Sequence, residues 1–125
     1  MLLQSSFCQV FDNSGIFFIS CISLLKNSKK IGATICEFIV ASVKFINSKK
    51  INLKYKKGNI CKVLIIKLAR NVKRFSNLYI KSDNNGVIIV NTERLPVATR
   101  FYSILFKEVR ERNYIKIALL ADILI

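Results

Sequence analysis

The sequence predicts an all-β domain, either a compact barrel or a sandwich, followed by a short helical segment. The chain has 125 residues, which is enough for one domain with one core. Most of it consists of short segments rich in Ile, Val, Phe and Tyr, which are residues that favour strands. Groups of turn-forming residues separate these segments, and only the C-terminal third changes to a helical pattern.

Six segments are predicted as strands because β-branched and aromatic residues are concentrated in them. They are residues 7–11, 16–25, 35–46, 60–67, 78–81 and 87–90. Several of them alternate poorly between apolar and polar residues, which predicts that both faces of the sheet are covered. Turns are expected at residues 12–15, 26–28, 57–59 and 83–86. Asn85 and Gly86, in the last turn, are typical of a tight hairpin because both readily adopt positive φ angles.

The C-terminal third is predicted to contain one amphipathic helix of about ten residues. Leu105, Phe106 and Val109 recur at helical spacing, Ser103 is a candidate N-cap and Asn113 could end the helix. A short apolar tail, residues 115–125, follows. Since the sequence has no repeat and no linker, we predict a single domain over residues 1–125. Its strand-rich part covers about 1–98 and its helical part about 99–125.

Positive charge is in large excess along the chain. There are 21 Lys and Arg residues against 7 Asp and Glu residues, a formal net charge of +14. Such a chain repels itself when compact, so we expect it to lie beside a polyanion. Nucleic acid is the first candidate, and an anionic membrane surface is the alternative. Insertion into a membrane is not expected, because no uncharged apolar run reaches roughly 18 residues.

The positive charge is concentrated where acidic residues are missing. No Asp or Glu occurs between residues 38 and 82, and two basic clusters, 49–57 and 70–74, fall in predicted loops. Cations on loops beside a rigid sheet suit phosphates, whose contacts give affinity without reading base sequence. Tyr55 and Phe75 could stack on unpaired bases, with core packing as the alternative. The candidate phosphate-binding residues are Lys44, Lys49, Lys50, Lys54, Lys56, Lys57, Lys67, Arg70, Lys73 and Arg74.

Catalytic and metal-binding patterns are missing from the sequence. There is no histidine, and the four cysteines (Cys8, Cys21, Cys36 and Cys61) lack metal-site spacing. We expect them to be reduced, partly buried thiols. Most acidic residues lie in turns or in the charged helix, where capping or ion pairing accounts for them. No enzymatic activity, cofactor or metal site is therefore predicted.

Short motifs occur in a characteristic order along the chain. They are Asp-Asn-Ser-Gly at 12–15, Cys-Ile at 21–22, Lys-Lys-Gly at 56–58, Val-Lys-Arg at 72–74, Pro-x-x-Thr-Arg at 96–100, Glu-Val-Arg at 108–110 and Lys-Ile at 116–117. In this order and spacing they resemble, over essentially the whole chain, the universal large-subunit ribosomal protein number fourteen in its bacterial and organellar form. The chain departs from that family at Asn71 and Ala98, where glycine is usual. It also has Phe75, Ser76 and Asn77 in place of Pro-Asp-Gly.

The resemblance implies a closed five-stranded β-barrel with a projecting hairpin or loop and a small C-terminal helical segment. It also implies that the basic residues bind large-subunit rRNA, with bridges to small-subunit rRNA. The family's protein partners are large-subunit ribosomal proteins nineteen and three, and a ribosome-silencing factor. The positions that match the docking site of this factor are Thr99, Arg100 and Lys116.

We therefore predict a structural, rRNA-binding component of a large ribosomal subunit. Its Ile-, Asn- and Lys-rich composition, typical of AT-rich codons, favours the mitochondrion, with the plastid or the bacterial cytoplasm as alternatives. Two other functional classes remain open. One is a free oligonucleotide-binding barrel acting on single-stranded RNA or DNA. The other is a membrane-surface protein, favoured only by the 52% apolar content.

Overall fold

The computed structural model describes residues 1–25, 31–47, 49 and 54–125. Each of the six predicted strand segments contains a strand, and a further short strand lies at 72–73. The strands are β1 (Phe7–Val10), β2 (Ile16–Leu24), β3 (Phe38–Ile46), β4 (Ile60–Lys67), β5 (Val72–Lys73), β6 (Tyr79–Ile80) and β7 (Gly86–Val90). The helices are α1 (Glu108–Glu111) and α2 (Ile115–Leu119).

Five of the strands form a closed barrel in the order β1-β2-β3-β4-β7. The pairs β1–β2, β2–β3, β3–β4 and β4–β7 are antiparallel. A parallel pair closes the barrel, with Gln9 of β1 opposite Gly86 of β7 and Val10 opposite Val87. The strands β5 and β6 form a separate two-stranded hairpin. The predicted all-β fold, a five-stranded barrel with an additional hairpin and a small helical segment, is confirmed.

The barrel interior is filled by side chains that meet in register across neighbouring strands. Ile39, Val63 and Ile89 form one such row across β3, β4 and β7, and all three are fully buried. Strand β7 is buried along its whole length, so both of its faces are covered, as predicted from its uninterrupted apolar sequence. The same buried cluster includes Val109 and Ile117 of the two helices. The C-terminal segment therefore shares the core of the barrel.

The Asp-Asn-Ser-Gly turn between β1 and β2 is built around the buried carboxylate of Asp12. One oxygen accepts the backbone N–H and the hydroxyl of Ser14, and the other accepts the Ile89 N–H at 3.1 Å. Gly15, at φ +92°, completes the turn in a conformation that favours glycine. Asp12 also pairs with Phe101 in an isolated bridge, so the turn connects β7 with the start of the C-terminal segment.

The hairpin turn predicted at Asn85 and Gly86 is not formed. Neither residue has a positive φ, and β6 and β7 are not paired with each other. The Asn85 side-chain oxygen instead accepts the Ala69 N–H at 2.9 Å, and Gly86 enters β7 opposite Lys67. The actual tight turn joins β5 to β6, where Asn77 has φ +57° at the position of the family's glycine.

The predicted ten-residue helix is also wrong, since α1 contains only four residues. The backbone of Leu105 pairs with the chain end instead, exchanging hydrogen bonds with Ile123 and Ile125. Ser103 is therefore not an N-cap: its hydroxyl accepts a hydrogen bond from Lys67. The predicted end at Asn113 is correct, because its φ of +64° breaks the helical conformation and separates α1 from α2.

Candidate nucleic-acid interface

The segment between β3 and β4 presents several of the predicted phosphate-binding lysines to solvent. Gly58, at φ +87°, closes a turn in which the Asn59 N–H bonds the Lys56 carbonyl at 3.1 Å. The Gly58 N–H donates to Val43 at 2.9 Å, which fixes the turn on β3. Lys50 lies outside the described residues. The exposed candidates in this region are Lys44, Lys49, Lys54, Lys56 and Lys57.

The β5–β6 hairpin carries the second group of candidates. Arg70 precedes the hairpin and Lys73 lies on β5, and both are exposed. Lys73 is paired with Tyr79 across the hairpin, and the Arg74 N–H bonds the Leu78 carbonyl at 2.9 Å. At the tip, Phe75 is 108% exposed and is therefore as accessible as in an extended peptide. The hairpin and the residues just before it thus present two cations, and the hairpin tip presents one aromatic ring.

Arg74 is occupied by contacts within the chain. Its Nε donates to Glu108 Oε1 at 2.5 Å and its Nη2 donates to Glu108 Oε2 at 3.2 Å. Nη2 also donates to the backbone oxygen of Ile125, the last residue. This cation therefore joins the hairpin to α1 and to the chain end.

Lys67 is half-buried, and its side chain contacts other residues of the same chain. Its Nζ lies 3.8 Å from the centroid of the Phe11 ring and donates to Ser103 Oγ at 2.6 Å. Burial lowers the pKa of Lys67, and the nearby charge of Asp83 partly offsets this shift. Gly86 makes the arrangement possible, because a Cβ there would lie 2.6 Å from Lys67 Cγ.

The two aromatic candidates differ in their surroundings. Tyr55 is half-buried and packs against the core, and burial raises its pKa. Tyr55 is thus a core-packing residue, the alternative to base stacking, whereas Phe75 has no comparable cover. Of these two rings, that of Phe75 is the one accessible enough to stack on an unpaired base.

The three positions matched to the silencing-factor site are all exposed. Asn13 holds Thr99 through two hydrogen bonds, of 2.9 Å to Oγ1 and 3.1 Å from the Thr99 N–H. The Asn13 N–H also donates to the carbonyl of Arg100 at 3.3 Å. Lys116 lies on α2, and among the described residues no hydrogen bond or ion pair joins it to the other two. The Asn13 anchor was not predicted, although the Asp-Asn-Ser-Gly motif marked its position.

The four cysteines are free, as expected, and they are buried, which is more than the partial burial predicted. Burial raises the pKa of Cys8 and of Cys36 to about 12 and that of Cys61 to about 11. Thiols with such pKa values are poor nucleophiles at neutral pH, because the thiolate is the reactive form.

The described residues hold neither a cluster of metal ligands nor a membrane-spanning helix. They contain no group of three or more metal-ligating side chains. No helix in this part of the chain is long and apolar enough to cross a membrane.

Comparison with known proteins identifies the family. The family described as ribosomal protein L14p/L23e matches residues 1–125. A relative from Acanthamoeba polyphaga, named large ribosomal subunit protein uL14m, is 36% identical over 114 residues, which are 88% of this chain and 97% of the relative. A relative of the same name from Acanthamoeba castellanii is also 36% identical over 114 residues, 88% of each chain. The chain therefore belongs to the ribosomal protein L14p/L23e family.

Proposed function

We propose that this chain, as a structural constituent of the large ribosomal subunit, binds large-subunit rRNA through backbone phosphates. The observation that carries the proposal is the exposure of cations on two supports, the β3–β4 segment and the β5–β6 hairpin. No acidic residue occurs between positions 38 and 82 to neutralise them. An uncompensated surface of this kind attracts a polyanion and gives salt-dependent affinity.

The cations do not contribute equally to the proposed interface. Exposed Lys56, Lys57, Arg70 and Lys73 are free to meet phosphates, and Phe75 can stack on a base at the hairpin tip. The half-buried side chain of Lys67 and the paired side chain of Arg74 support these surfaces from behind. We propose that their contribution to RNA binding is mainly to position neighbouring residues.

The remaining partners are proposed from the family resemblance. They are small-subunit rRNA reached through intersubunit bridges, large-subunit proteins nineteen and three, and a ribosome-silencing factor at Thr99, Arg100 and Lys116. The exposure of these three side chains and the anchoring of Thr99 by Asn13 support this last assignment. Docking requires an accessible, preorganised surface, and Asn13 supplies the preorganisation.

We propose the mitochondrial large subunit as the location of the chain. The sequence composition favours it, and both Acanthamoeba relatives are uL14m proteins. Sedimentation of a native lysate at low salt, with the chain located by mass spectrometry, tests this. Co-migration with mitochondrial large subunits is expected, whereas co-migration with plastid or bacterial subunits would contradict the location.

The rRNA interface is tested by measuring binding to a large-subunit rRNA transcript over a series of salt concentrations. The double variant Arg70→Ala, Lys73→Ala removes two exposed cations. Its slope of log affinity against log salt should fall by up to about 1.4–1.8, since each phosphate contact contributes about 0.7–0.9. Lys107→Ala with Arg110→Ala is the matched control, because both side chains are exposed on or beside α1.

An unchanged slope in the hairpin variant, relative to the control, would show that Arg70 and Lys73 merely face solvent. Binding of unpaired oligonucleotides in preference to the rRNA transcript would support a free oligonucleotide-binding barrel. Binding to anionic vesicles without binding to the transcript would support the membrane-surface alternative.

A further inference from the structure

A cavity of about 150 Å³ lies where the barrel meets the C-terminal segment. It combines residues from the β2–β3 region, from β4, from the turn after β7 and from the junction between α1 and α2. Its lining residues are Leu25, Cys36, Glu37, Phe38, Lys62, Arg94, Arg112 and Tyr114. Arg94 and Arg112 are exposed and Lys62 is half-buried, so the cationic side of the cavity is open to solvent.

The Phe38 ring holds two of these cations in place. Lys62 Nζ lies 5.0 Å from the ring centroid and the guanidinium carbon of Arg94 lies 5.3 Å from it. Tyr114 makes an edge contact with the same ring at 5.5 Å between centroids. A cation–π contact orients a cation without neutralising its charge. Both positive charges thus remain available to a ligand.

The turn that carries Arg94 is closed by hydrogen bonds to Asn91. Arg94 has φ +63°, a conformation that is rare for residues other than glycine. The Asn91 side-chain oxygen accepts the N–H groups of Glu93 at 3.0 Å and Leu95 at 2.9 Å. The Arg94 N–H donates to the Asn91 carbonyl at 3.1 Å. These bonds fix the backbone from which the Arg94 side chain reaches Phe38.

The balance of charge around the cavity is positive. Among the described residues that line it, Glu37 is the acidic one, and its carboxylate accepts the Thr34 N–H at 2.9 Å. Among the described residues, no ion pair involves Lys62, Arg94 or Arg112. Three cations and one carboxylate thus line the described part of the cavity. The charges of Glu108 and Glu111 also reach its Cys36, but these carboxylates are paired with Arg74 and Lys107, so positive charge remains for an additional anion.

From this cavity we infer that Lys62, Arg94 and Arg112 form a site for one backbone phosphate of rRNA. The planar guanidinium groups of the two arginines match phosphate oxygens, and the ammonium adds a compact charge. Contact to the backbone is favoured over base recognition because the exposed charged groups of the cavity are cations, which bind phosphate oxygens without reading base sequence. This inference rests on the proposed rRNA binding and adds a third contact region.

The inference is tested with the full chain and a large-subunit rRNA transcript. The variant Arg94→Gln with Arg112→Gln removes both guanidinium groups of the cavity. Loss of one phosphate contact should lower the salt slope by about 0.7–0.9 and the affinity about fivefold to eightfold at roughly 0.1 M salt. Lys107→Gln with Arg110→Gln loses the same charge outside the cavity and should retain clearly more of the slope.

Further variants separate binding from folding. Circular dichroism and melting temperature establish whether the cavity variant is folded. If it is not, Arg94→Lys with Arg112→Lys keeps the charge and loses the planar groups, and its affinity should fall below that of the wild type by less than the full fivefold to eightfold loss. Lys62→Gln should reduce the slope as well, because the ammonium belongs to the same site.

Comparison of the wild type with the cavity variant separates rRNA binding by the chain from phosphate binding in the cavity. If the wild type shows no salt-dependent rRNA binding, the proposed function fails and the inference fails with it. If the wild type binds and the folded cavity variant equals the control, only the inference fails. Binding of a polyglutamate peptide that is lost in the cavity variant, with rRNA binding equal to that of the control, would assign the site to a protein carboxylate and overturn the phosphate.

Discussion

Replacing Arg74 by alanine should loosen the β5–β6 hairpin from the C-terminal segment. The Arg74 guanidinium donates two hydrogen bonds to Glu108, at 2.5 and 3.2 Å, and a third to the backbone oxygen of Ile125. The two charged side chains are 16% and 15% exposed, so water screens them only in part. The pair joins the hairpin to α1 across 34 positions of sequence, so its loss affects tertiary structure.

The expected cost follows from the partial burial of the pair. An exposed ion pair contributes about 0–1 kcal/mol, whereas breaking a fully buried one costs about 3–5 kcal/mol. The Arg74–Glu108 pair lies between these limits, with two-point geometry but some access to water. We expect Arg74→Ala to lower the free energy of unfolding by about 2 kcal/mol, with a coupling energy to Glu108 of about 1–2 kcal/mol.

Urea denaturation of the wild type, Arg74→Ala, Glu108→Ala and the double variant gives the coupling energy directly. The Lys107–Glu111 pair, at 4.0 Å and more than half exposed on both sides, is the internal control and should show almost no coupling. A coupling energy for Arg74 and Glu108 no larger than that of the control would refute the structural role. A reduced rRNA salt slope in Arg74→Ala without a change in stability would return Arg74 to the phosphate-binding group.

Four other outcomes are expected. Gly86→Ala should cost about 1–3 kcal/mol by displacing the Lys67 side chain, and Lys67→Ala in the same chain should restore part of the loss in melting temperature. Burial raises the pKa of the Cys8 thiol to about 12, against 9.0 for the ordinary group, and so favours the protonated thiol in the folded state. Its contribution to stability is complete below pH 9 and is lost as the pH rises towards 12. Melting curves at alkaline pH and thiol labelling of the folded chain measure this, and rapid labelling of the folded chain at pH 8 would contradict it. Expressed without rRNA, the chain should aggregate or co-purify with nucleic acid at low salt, and a soluble, nucleic-acid-free monomer would count against the charge argument. Arg100→Glu with Lys116→Glu should leave large-subunit assembly intact and impair silencing-factor binding or subunit joining on sucrose gradients, whereas normal behaviour in both assays would reduce the patch to ordinary surface.

The strands of the barrel could be predicted because their signals are local. Strand β4, for example, has β-branched residues at four of its eight positions, and the turn residues Gly15 and Gly58 take the positive φ angles that their type favours. Closure of the barrel was available only through the family resemblance. The parallel pair of β1 and β7 joins residues that are distant in sequence, and no local pattern specifies it.

Tertiary contacts explain the two structural predictions that were wrong. Helical spacing at Leu105 and Phe106 reflects burial against the barrel, but the Leu105 N–H and carbonyl pair with the chain end, which a helix would not allow. Asn85 adopts no hairpin turn because its side chain is used to bind Ala69. In both cases a hydrogen bond from another part of the chain overrides the local conformational preference.

The cations of this chain illustrate why binding residues are harder to predict than strands. Sequence shows charge and spacing, and these do not distinguish exposed Lys73 from Arg74 beside it. The difference is made by Glu108, more than thirty positions away, which draws one side chain inward. Cations held by the protein itself, such as Arg74 and Lys67, fix the hairpin and the C-terminal segment against the barrel. Under the proposed function, the exposed cations then meet phosphates from supports that are already ordered, which lowers the entropy lost on binding.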